Sequence, residues 1–316
     1  MEKLSIGIDI GATNVRVCLG NEKGEIKIKL AEKLDVENRN SISQQIIRLI
    51  KSFNAKDVSS IGVGTAGPLD LKKGEISPVN IPVRNVPVVK PLEEEFNVPV
   101  YFVNDCDAAV IGEKIFGMGK GESHLAYITL SSGIGCGVIV DGKVLLGKEG
   151  NATENGHHVI DFEGKLKCGC GSYGHWEAYT SGKNIPNFVK LLTKEDSRLP
   201  DSLILKLSEN SLDNLTSEKF FEAAKMGDGV ALEIVDKIGM INAIGVSNIN
   251  AAYDISLVTI GGSVALKNAD LILQPIVKYA PNYSINRIPK IFITPLGEDI
   301  VLFGALALAF NPSLVF

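Results

Sequence analysis

The strongest constraint on the fold of this 316-residue chain is a device that occurs twice: an apolar strand, a tight turn of small residues, and a strand running back. In the first copy Leu4 to Asp9 leads through Ile10-Gly11-Ala12-Thr13-Asn14 into Val15 to Leu19. A third strand, Ile26 to Leu30, follows the polar break Asn21-Glu22-Lys23-Gly24. About 120 residues later the pattern restarts with Leu125 to Leu130, the turn Ser131-Ser132-Gly133, then Cys136 to Val140 and Lys143 to Leu146. Short apolar runs bounded by glycine, asparagine and serine read as strands of a meander. A unit repeated at this distance implies two related halves facing each other across a cleft.

The intervening sequence adds helices and buried strands. Ile42, Ile46, Leu49, Ile50 and Phe53 keep the spacing of one helical face and predict a helix over Ser41 to Phe53. Ile61 to Gly64 and Val100 to Val103 are apolar throughout, as strands covered on both faces are, while Pro68 to Pro99 reads as loop-rich. Helices are expected at Ala108 to Phe116, Asp228 to Asn250 and Asp299 to Phe310. Further strands are expected at Ile255 to Ile260, ending in Gly261-Gly262, and at Lys290 to Ile293. The pattern is that of an α/β protein with mixed sheets. At roughly 150 residues per domain the length suggests two domains, and 45% hydrophobic residues supply their cores.

A net charge of −5 with no long basic run argues against duplex nucleic acid or an anionic membrane as partner, since both demand clustered Lys and Arg. The N-terminus runs straight into a strand and no stretch of eighteen apolar residues occurs, so a cytoplasmic protein is expected. Cys18, Cys106 and Cys136 are scattered and read as small buried side chains rather than a disulfide framework. The acceptor triplets at Asn151, Asn214 and Asn282 carry no weight without export.

The run from His157 to Glu177 holds three of the four histidines and two of the five cysteines. A C-x-C pair, Cys168 and Cys170, with His175 five residues on and His157 eleven residues before, offers zinc its four tetrahedral ligands. The competing reading is buried thiols and surface histidines. It fits less well, because glycines flank both cysteines and leave little apolar packing. A zinc clip alone names no function.

Asp9, Gly11, Ala12, Thr13 and Asn14 place a carboxylate at a strand end, followed by a turn whose N–H groups can cradle a phosphate; an ordinary hairpin turn is the alternative. Ser131-Ser132-Gly133-Ile134-Gly135 supplies a second such turn. Gly169-x-Gly171-x-x-Gly174 fits a dinucleotide fingerprint but lies among the zinc ligands instead of between strand and helix, and no P-loop pattern occurs. Asn104-Asp105 directly follows a strand, at the sheet edge where open α/β sheets bind ligands. Asp105 or Asp107 can equally cap the helix expected near Ala108. Glu154, His157 and Glu177 bracket the clip and suit a ring of hydroxyls.

Taken together, these motifs resemble the ROK family of sugar kinases and repressors over nearly the whole chain. The resemblance rests on Asp9 to Thr13, Asn104-Asp105, Ser131 to Gly135, Glu154 to His157 and Cys168 to Glu177, in family order. It implies an actin-like ATPase (ribonuclease H-like) fold, two domains around a nucleotide and sugar cleft. These would be residues 1–117, with a C-terminal helix at about 299–316 returning to them, and 118–298 carrying the zinc clip.

By the same resemblance Asp105 acts as general base, and Gly67, Asn104, Glu154, His157 and Glu177 hold the sugar. His157 binds zinc through one nitrogen and sugar through the other. Gly261-Gly262-Ser263 resembles the adenosine-contacting turn. Three departures stand out: Ala12 and Asn14 replace the usual glycine and lysine, His175 replaces a zinc cysteine, and Ser132 replaces threonine. The implied activity is transfer of a phosphoryl group from Mg-ATP to the 6-hydroxyl of a hexose, glucose favoured, with structural zinc and a homodimer or homotetramer. The alternatives are an N-acetylmannosamine or N-acetylglucosamine kinase, decided by room beside C2 along the loop from Gly67 to Arg84, and a non-catalytic sugar-binding or regulatory protein.

Overall fold

A computed structural model describes residues 2–55, 57–78 and 81–315. Phe316, the end of the expected returning segment, lies outside the described residues, as do Met1, Lys56, Val79 and Asn80.

The chain opens with β1 (Leu4–Ile10), β2 (Asn14–Asn21) and β3 (Ile26–Lys33), paired antiparallel in sequence. α1 (Ser41–Ser52) and β4 (Val58–Thr65) follow where the apolar spacing predicts them. The segment expected to be loop-rich is more ordered than that: it holds β5 (Leu69–Asp70), β6 (Glu75–Ile76), β7 (Val86–Pro87) and α2 (Val89–Phe96). Two-residue strands are too short to alternate, whereas α2 does keep a helical apolar spacing, Val89, Leu92 and Phe96, which the proline-rich surroundings mask in the sequence.

β8 (Val100–Asn104) runs directly into α3 (Asp105–Ile115), which begins three residues before the expected start at Ala108. The second copy of the meander is β9 (Leu125–Leu130), β10 (Ile134–Val140) and β11 (Lys143–Val144), the last two residues shorter than expected. After it come α4 (Glu177–Thr180), α5 (Ile185–Thr193), α6 (Leu203–Leu207), α7 (Ser217–Lys225) and the long α8 (Gly229–Tyr253). The chain ends with β12 (Leu257–Gly261), α9 (Ser263–Lys267), α10 (Ala269–Tyr283), β13 (Lys290–Ile293) and α11 (Ile300–Phe310). Among the described residues no helix is long and apolar enough to cross a membrane.

The two large sheets have matching orders, β3-β2-β1-β4-β8 and β11-β10-β9-β12-β13, as the repeated device predicts. Contacts divide the chain into two compact units. Unit 1 comprises Met1–Tyr127, Gly137–Thr153 and Thr294–Phe316, and unit 2 comprises Ile128–Cys136 and Glu154–Ile293.

In unit 1 the sheet is covered on one face by α1, through Ile42, Ile46, Leu49 and Ile50, and on the other by α11 and α3. α11 is apolar on every side and buries eight of its residues against β1, β4 and α3, so it needs no amphipathic stripe. Cys18 lies in this layer with Leu302 and Leu306, and burial pushes its thiol up to about 12. All five cysteines are free.

β1, β4 and β8 are parallel, with Ile10 beside Thr65 and Thr65 beside Asn104, so their C-terminal ends finish side by side. That edge is where the unit 1 candidate residues gather.

The approach of α11 to the sheet is close. A Cβ added at Gly62 would lie 1.9 Å from the Ala305 carbonyl oxygen. Gly62→Ala is therefore expected to lower stability by about 3 kcal/mol through overpacking, whereas Gly229→Ala, with open space around it at a helix start, should be neutral or slightly stabilising. Urea denaturation of the two variants checks this; equal stability of both would contradict the close packing.

Candidate active site and metal centre

Unit 1 presents three segments at the shared ends of β1, β4 and β8. The turn after β1 is closed by the Gly11 N–H donating to the Asn14 carbonyl at 3.0 Å, and Ala12, Thr13 and Asn14 are exposed. Asp9 is not a free carboxylate beside this turn. It is buried, and its Oδ2 accepts from Arg16 Nε at 2.7 Å and also from Nη2. Arg16 further donates to the Glu298 carbonyl at 2.8 Å and to Asp299 at 3.3 Å. Burial pushes the Asp9 carboxyl above the usual carboxylate range, against the pull of the guanidinium. Arg16 gave no sign in the sequence beyond standing two residues past Asn14, on the same face of β2.

Beyond β4 the chain turns at Gly67, whose peptide bond to Pro68 is cis. A Cβ at Gly67 would stand 3.4 Å from Asn104 Nδ2 and 3.5 Å from Asn151 Oδ1, so these two amides flank the glycine. Asn151 in turn accepts from the Leu69 N–H at 3.1 Å. In the sequence Asn151 showed only as part of an acceptor triplet; its place beside Gly67 and Asn104 is a product of the fold.

Asn104 is the cap of α3, accepting from the Cys106 N–H at 2.7 Å, while Asp105 is the first helical residue and accepts from the same N–H at 2.8 Å. Neither Asp105 nor Asp107 is thus the capping residue. Asp105 sits half-buried in the first turn of α3.

In unit 2 the four expected metal ligands come together. The donor atoms of His157, Cys168, Cys170 and His175 all lie within 4.8 Å of one another. The two Nδ1 atoms are 3.3 Å apart, Cys168 Sγ is 3.7 Å from His157 Nδ1, and Cys170 Sγ is 3.3 Å from His175 Nδ1. A tetrahedron with metal–nitrogen bonds of about 2.05 Å and metal–sulfur bonds of about 2.3 Å has edges of roughly 3.3–3.8 Å, so this donor set fits a tetrahedral divalent ion. His157 turns Nδ1 to the cluster and Nε2 toward Glu154, 3.9 Å away.

The clip is a loop held by polar groups. Gly174, at φ +74°, leaves room that a side chain would take from the Asp161 carbonyl, which lies 2.0 Å from its Cβ position. Asp161 accepts from the N–H groups of Glu163 and Lys165, each at 3.0 Å, and from the Tyr179 hydroxyl. Tyr179 itself accepts from the Leu166 N–H at 3.2 Å. Trp176, fully buried, donates to Asn242 of α8 at 2.8 Å and ties the clip to the long helix.

Glu177 opens α4. It accepts from the Ile134 N–H at 2.9 Å and from Cys168 at 3.4 Å, so it braces both the second turn and the clip. Burial raises the Glu154 carboxyl, partly offset by His157. The turn Ser131–Gly133 is itself pinned: the Gly182 N–H donates to the Ser131 carbonyl at 2.7 Å and the Lys183 N–H to Ser132 at 3.2 Å. Gly261 ends β12, and Gly262, at φ +86°, would place a Cβ 2.5 Å from the Leu130 carbonyl, so only glycine brings Ser263 to within 3.3 Å of Ser131.

The ROK family model matches residues 5–311. A glucokinase of Pyrobaculum calidifontis is 39% identical over 308 residues, 97% of this chain and 95% of the relative. A glucokinase of Aeropyrum pernix is 35% identical over 326 residues, 97% of each. A solved ROK family glucokinase from Streptomyces griseus, in complex with glucose and AMPPNP, superposes with a TM-score of 0.78 at 30% identity and covers 98% of this chain and 99% of its own. The architecture is the actin-like ATPase fold.

The Asp161–Tyr179 bond makes a pH-dependent prediction. Asp161 is held below the usual carboxylate range by the Tyr179 hydroxyl, so its contribution is present above the unfolded value and lost as pH falls through the folded one. Tyr179, pushed up to about 12 by burial, contributes below its unfolded value and loses this as pH rises through the folded one. Tyr179→Phe should cost about 1–3 kcal/mol near neutrality, a difference that shrinks below about pH 4 and above about pH 10. Denaturation of both proteins across pH tests it; a difference that does not vary with pH would contradict it.

Proposed function

The chain belongs to the ROK family, and on that premise we propose that it is an ATP-dependent glucose kinase, moving the γ-phosphoryl group of Mg-ATP to the 6-hydroxyl of a hexose. The observation that carries the reading is the side-by-side ending of β1, β4 and β8, which collects the phosphate-type turn, Gly67 and the Asn104-Asp105 pair at one sheet edge. Kinship with glucokinases supports glucose over an N-acetylated hexosamine, and catalysis over a purely sugar-binding regulatory role.

Phosphoryl transfer passes through a loose transition state, so alignment and charge neutralisation do most of the work. Asp105 orients the 6-hydroxyl and takes its proton late, as the new bond forms, because a carboxylate of ordinary pKa about 3.9 is too weak to remove it first. By kinship with the family, the sugar contacts are Asn104 and Gly67 in unit 1 and, separately, Glu154, His157 and Glu177 in unit 2. The N–H groups of Gly11 to Asn14 and of Ser131 to Gly133 cradle phosphate oxygens, a role that survives the replacement of lysine by Asn14. Mg2+, when bound with ATP, neutralises charge on the transferring group.

The tetrahedral donor set of two thiolates and two imidazoles suits zinc, in a closed structural role. The metal would fix the His157 ring through Nδ1, leaving Nε2 for a sugar hydroxyl. The reading extends to two domains, residues 1–117 with the C-terminal helix and 118–298, in a cytoplasmic homodimer or homotetramer.

A coupled assay of ADP release with Mg-ATP and a panel of glucose, mannose, fructose, N-acetylglucosamine and N-acetylmannosamine tests the activity. Glucose is expected to turn over best; preference for an N-acetylated sugar would overturn the substrate. Asp105→Asn should lower kcat by about 10²–10⁴ while glucose affinity by calorimetry stays within roughly threefold, and near-normal turnover would remove Asp105 as the base. Cys168→Ser is expected to lose about one equivalent of zinc per chain in metal analysis and to weaken glucose binding. A variant that keeps its zinc would refute the ligand set.

A further inference from the structure

Unit 2 contains a cavity of about 360 Å³ beside the turn Ser131–Gly133, and the sugar-binding residues leave it unused. Its volume falls within the range of small-molecule sites. Ser132 and Lys183 both line it, joined by the Lys183 N–H donating to the Ser132 carbonyl at 3.2 Å. Leu215 and the start of α7, with Thr216, Ser217 and Glu218, also line it. Among its lining residues Lys183 is the single cation and Glu218 the single carboxylate, so the cavity has one positive and one negative group.

The hydroxyl of Thr216 already caps α7, accepting from the Lys219 N–H at 3.3 Å. Glu218, two positions on, is exposed, and among the described residues it makes no hydrogen bond or ion pair. An ionised carboxylate accepts hydrogen bonds and donates none, so this group repels a phosphate and is able to accept from hydroxyl or amine donors of whatever enters.

We infer that Glu218 selects a ribonucleoside triphosphate as the phosphoryl donor, accepting from the vicinal 2′- and 3′-hydroxyls of its ribose. The inference rests on the kinase reading above. With the phosphates of a nucleotide at the Ser131–Gly133 turn and Lys183, the ribose is left to the remaining polar lining, in which two adjacent hydroxyls match the two oxygens of the one carboxylate. Pro186, Leu215 and Val264 provide the apolar surface that the base requires. A 2′-deoxyribose supplies only one of the two donors. Inorganic polyphosphate supplies none and carries negative charge at every unit, which a single lysine faced by a carboxylate does not balance.

The test is steady-state kinetics of the full chain with glucose, using ATP, 2′-deoxyATP and inorganic polyphosphate as donors, for the natural protein, Glu218→Ala and Glu218→Gln. Calorimetric Kd values for ADP and 2′-deoxyADP are measured in parallel. The natural protein is expected to prefer ATP over 2′-deoxyATP by about tenfold in kcat/KM, and to use polyphosphate poorly. Glu218→Ala should reduce the nucleotide preference to within about twofold by weakening ATP alone, with Glu218→Gln between the two. A merely structural disturbance would weaken both nucleotides alike and leave the ratio intact.

The inference is overturned if the ratio is unchanged in Glu218→Ala, if the natural protein uses both nucleotides equally, or if polyphosphate rivals ATP. If no sugar is phosphorylated but ADP still binds more tightly than 2′-deoxyADP in a Glu218-dependent way, the kinase reading fails and the ribose site stands.

Discussion

A Cβ at Gly304 would stand 1.7 Å from the Ala108 carbonyl oxygen, and this backbone-to-backbone approach of α11 and α3 is the contact on which the rest of unit 1 depends. Helices usually pack with side chains spacing their axes about 8–10 Å apart, and only glycine lets them sit closer. With α11 so placed, its other side lies on β1 and β4, and Ser60 donates to the Ala309 carbonyl at 2.7 Å. α3 is thereby fixed under the sheet edge, and Asp105 emerges in its first turn directly at the end of β8. The position of the proposed base is thus set by tight packing of the last helix in the chain against a helix nearly two hundred residues earlier.

Unit 2 positions its polar groups by another means. The clip carries little regular structure and few apolar side chains; it is held by Asp161, Tyr179 and Trp176, and its four soft and borderline donors converge to within 4.8 Å of one another. A loop of this kind obtains its shape from polar satisfaction and a metal where a core cannot supply it. His157 joins the two tasks, with one ring nitrogen in the cluster and the other toward Glu154. Its orientation then depends on the cluster, which couples the proposed sugar contact to metal occupancy.

The departures from the family pattern acquire a physical context. Loss of lysine at Asn14 leaves an exposed turn whose backbone closure, Gly11 to Asn14, does not involve that side chain. The nearby cation, Arg16, is committed to Asp9, Asp299 and the Glu298 carbonyl, so it neutralises the buried carboxylate and ties the turn to the start of α11. His175 in place of cysteine keeps the donor count of the cluster at four.

Much of this was legible in the residues. Strands repeated at a fixed separation, the helix through Ile42 to Phe53 and the Cys-His spacing are local periodicities, and the matching sheet orders and the converged ligands follow from them. The small sheet at 69–87, the four-residue α4 and the cap at Asn104 were not, because such short elements and caps leave no period to read. α5 and α7 are absent from the expected helices although Ile185, Phe188 and Val189 in the one and Phe220, Phe221 and Ala224 in the other mark a buried face. Asn151 beside Gly67, Arg16 on Asp9, and Glu218 in the cavity join residues whose proximity no local pattern encodes. The sequence by itself determined which chemical groups this protein owns and which segments extend or coil, since those depend on side-chain type and spacing along one chain. Only the tertiary structure decided which of those groups meet, because the strand register and the glycine-to-backbone contacts that bring them together are formed between segments far apart in the chain.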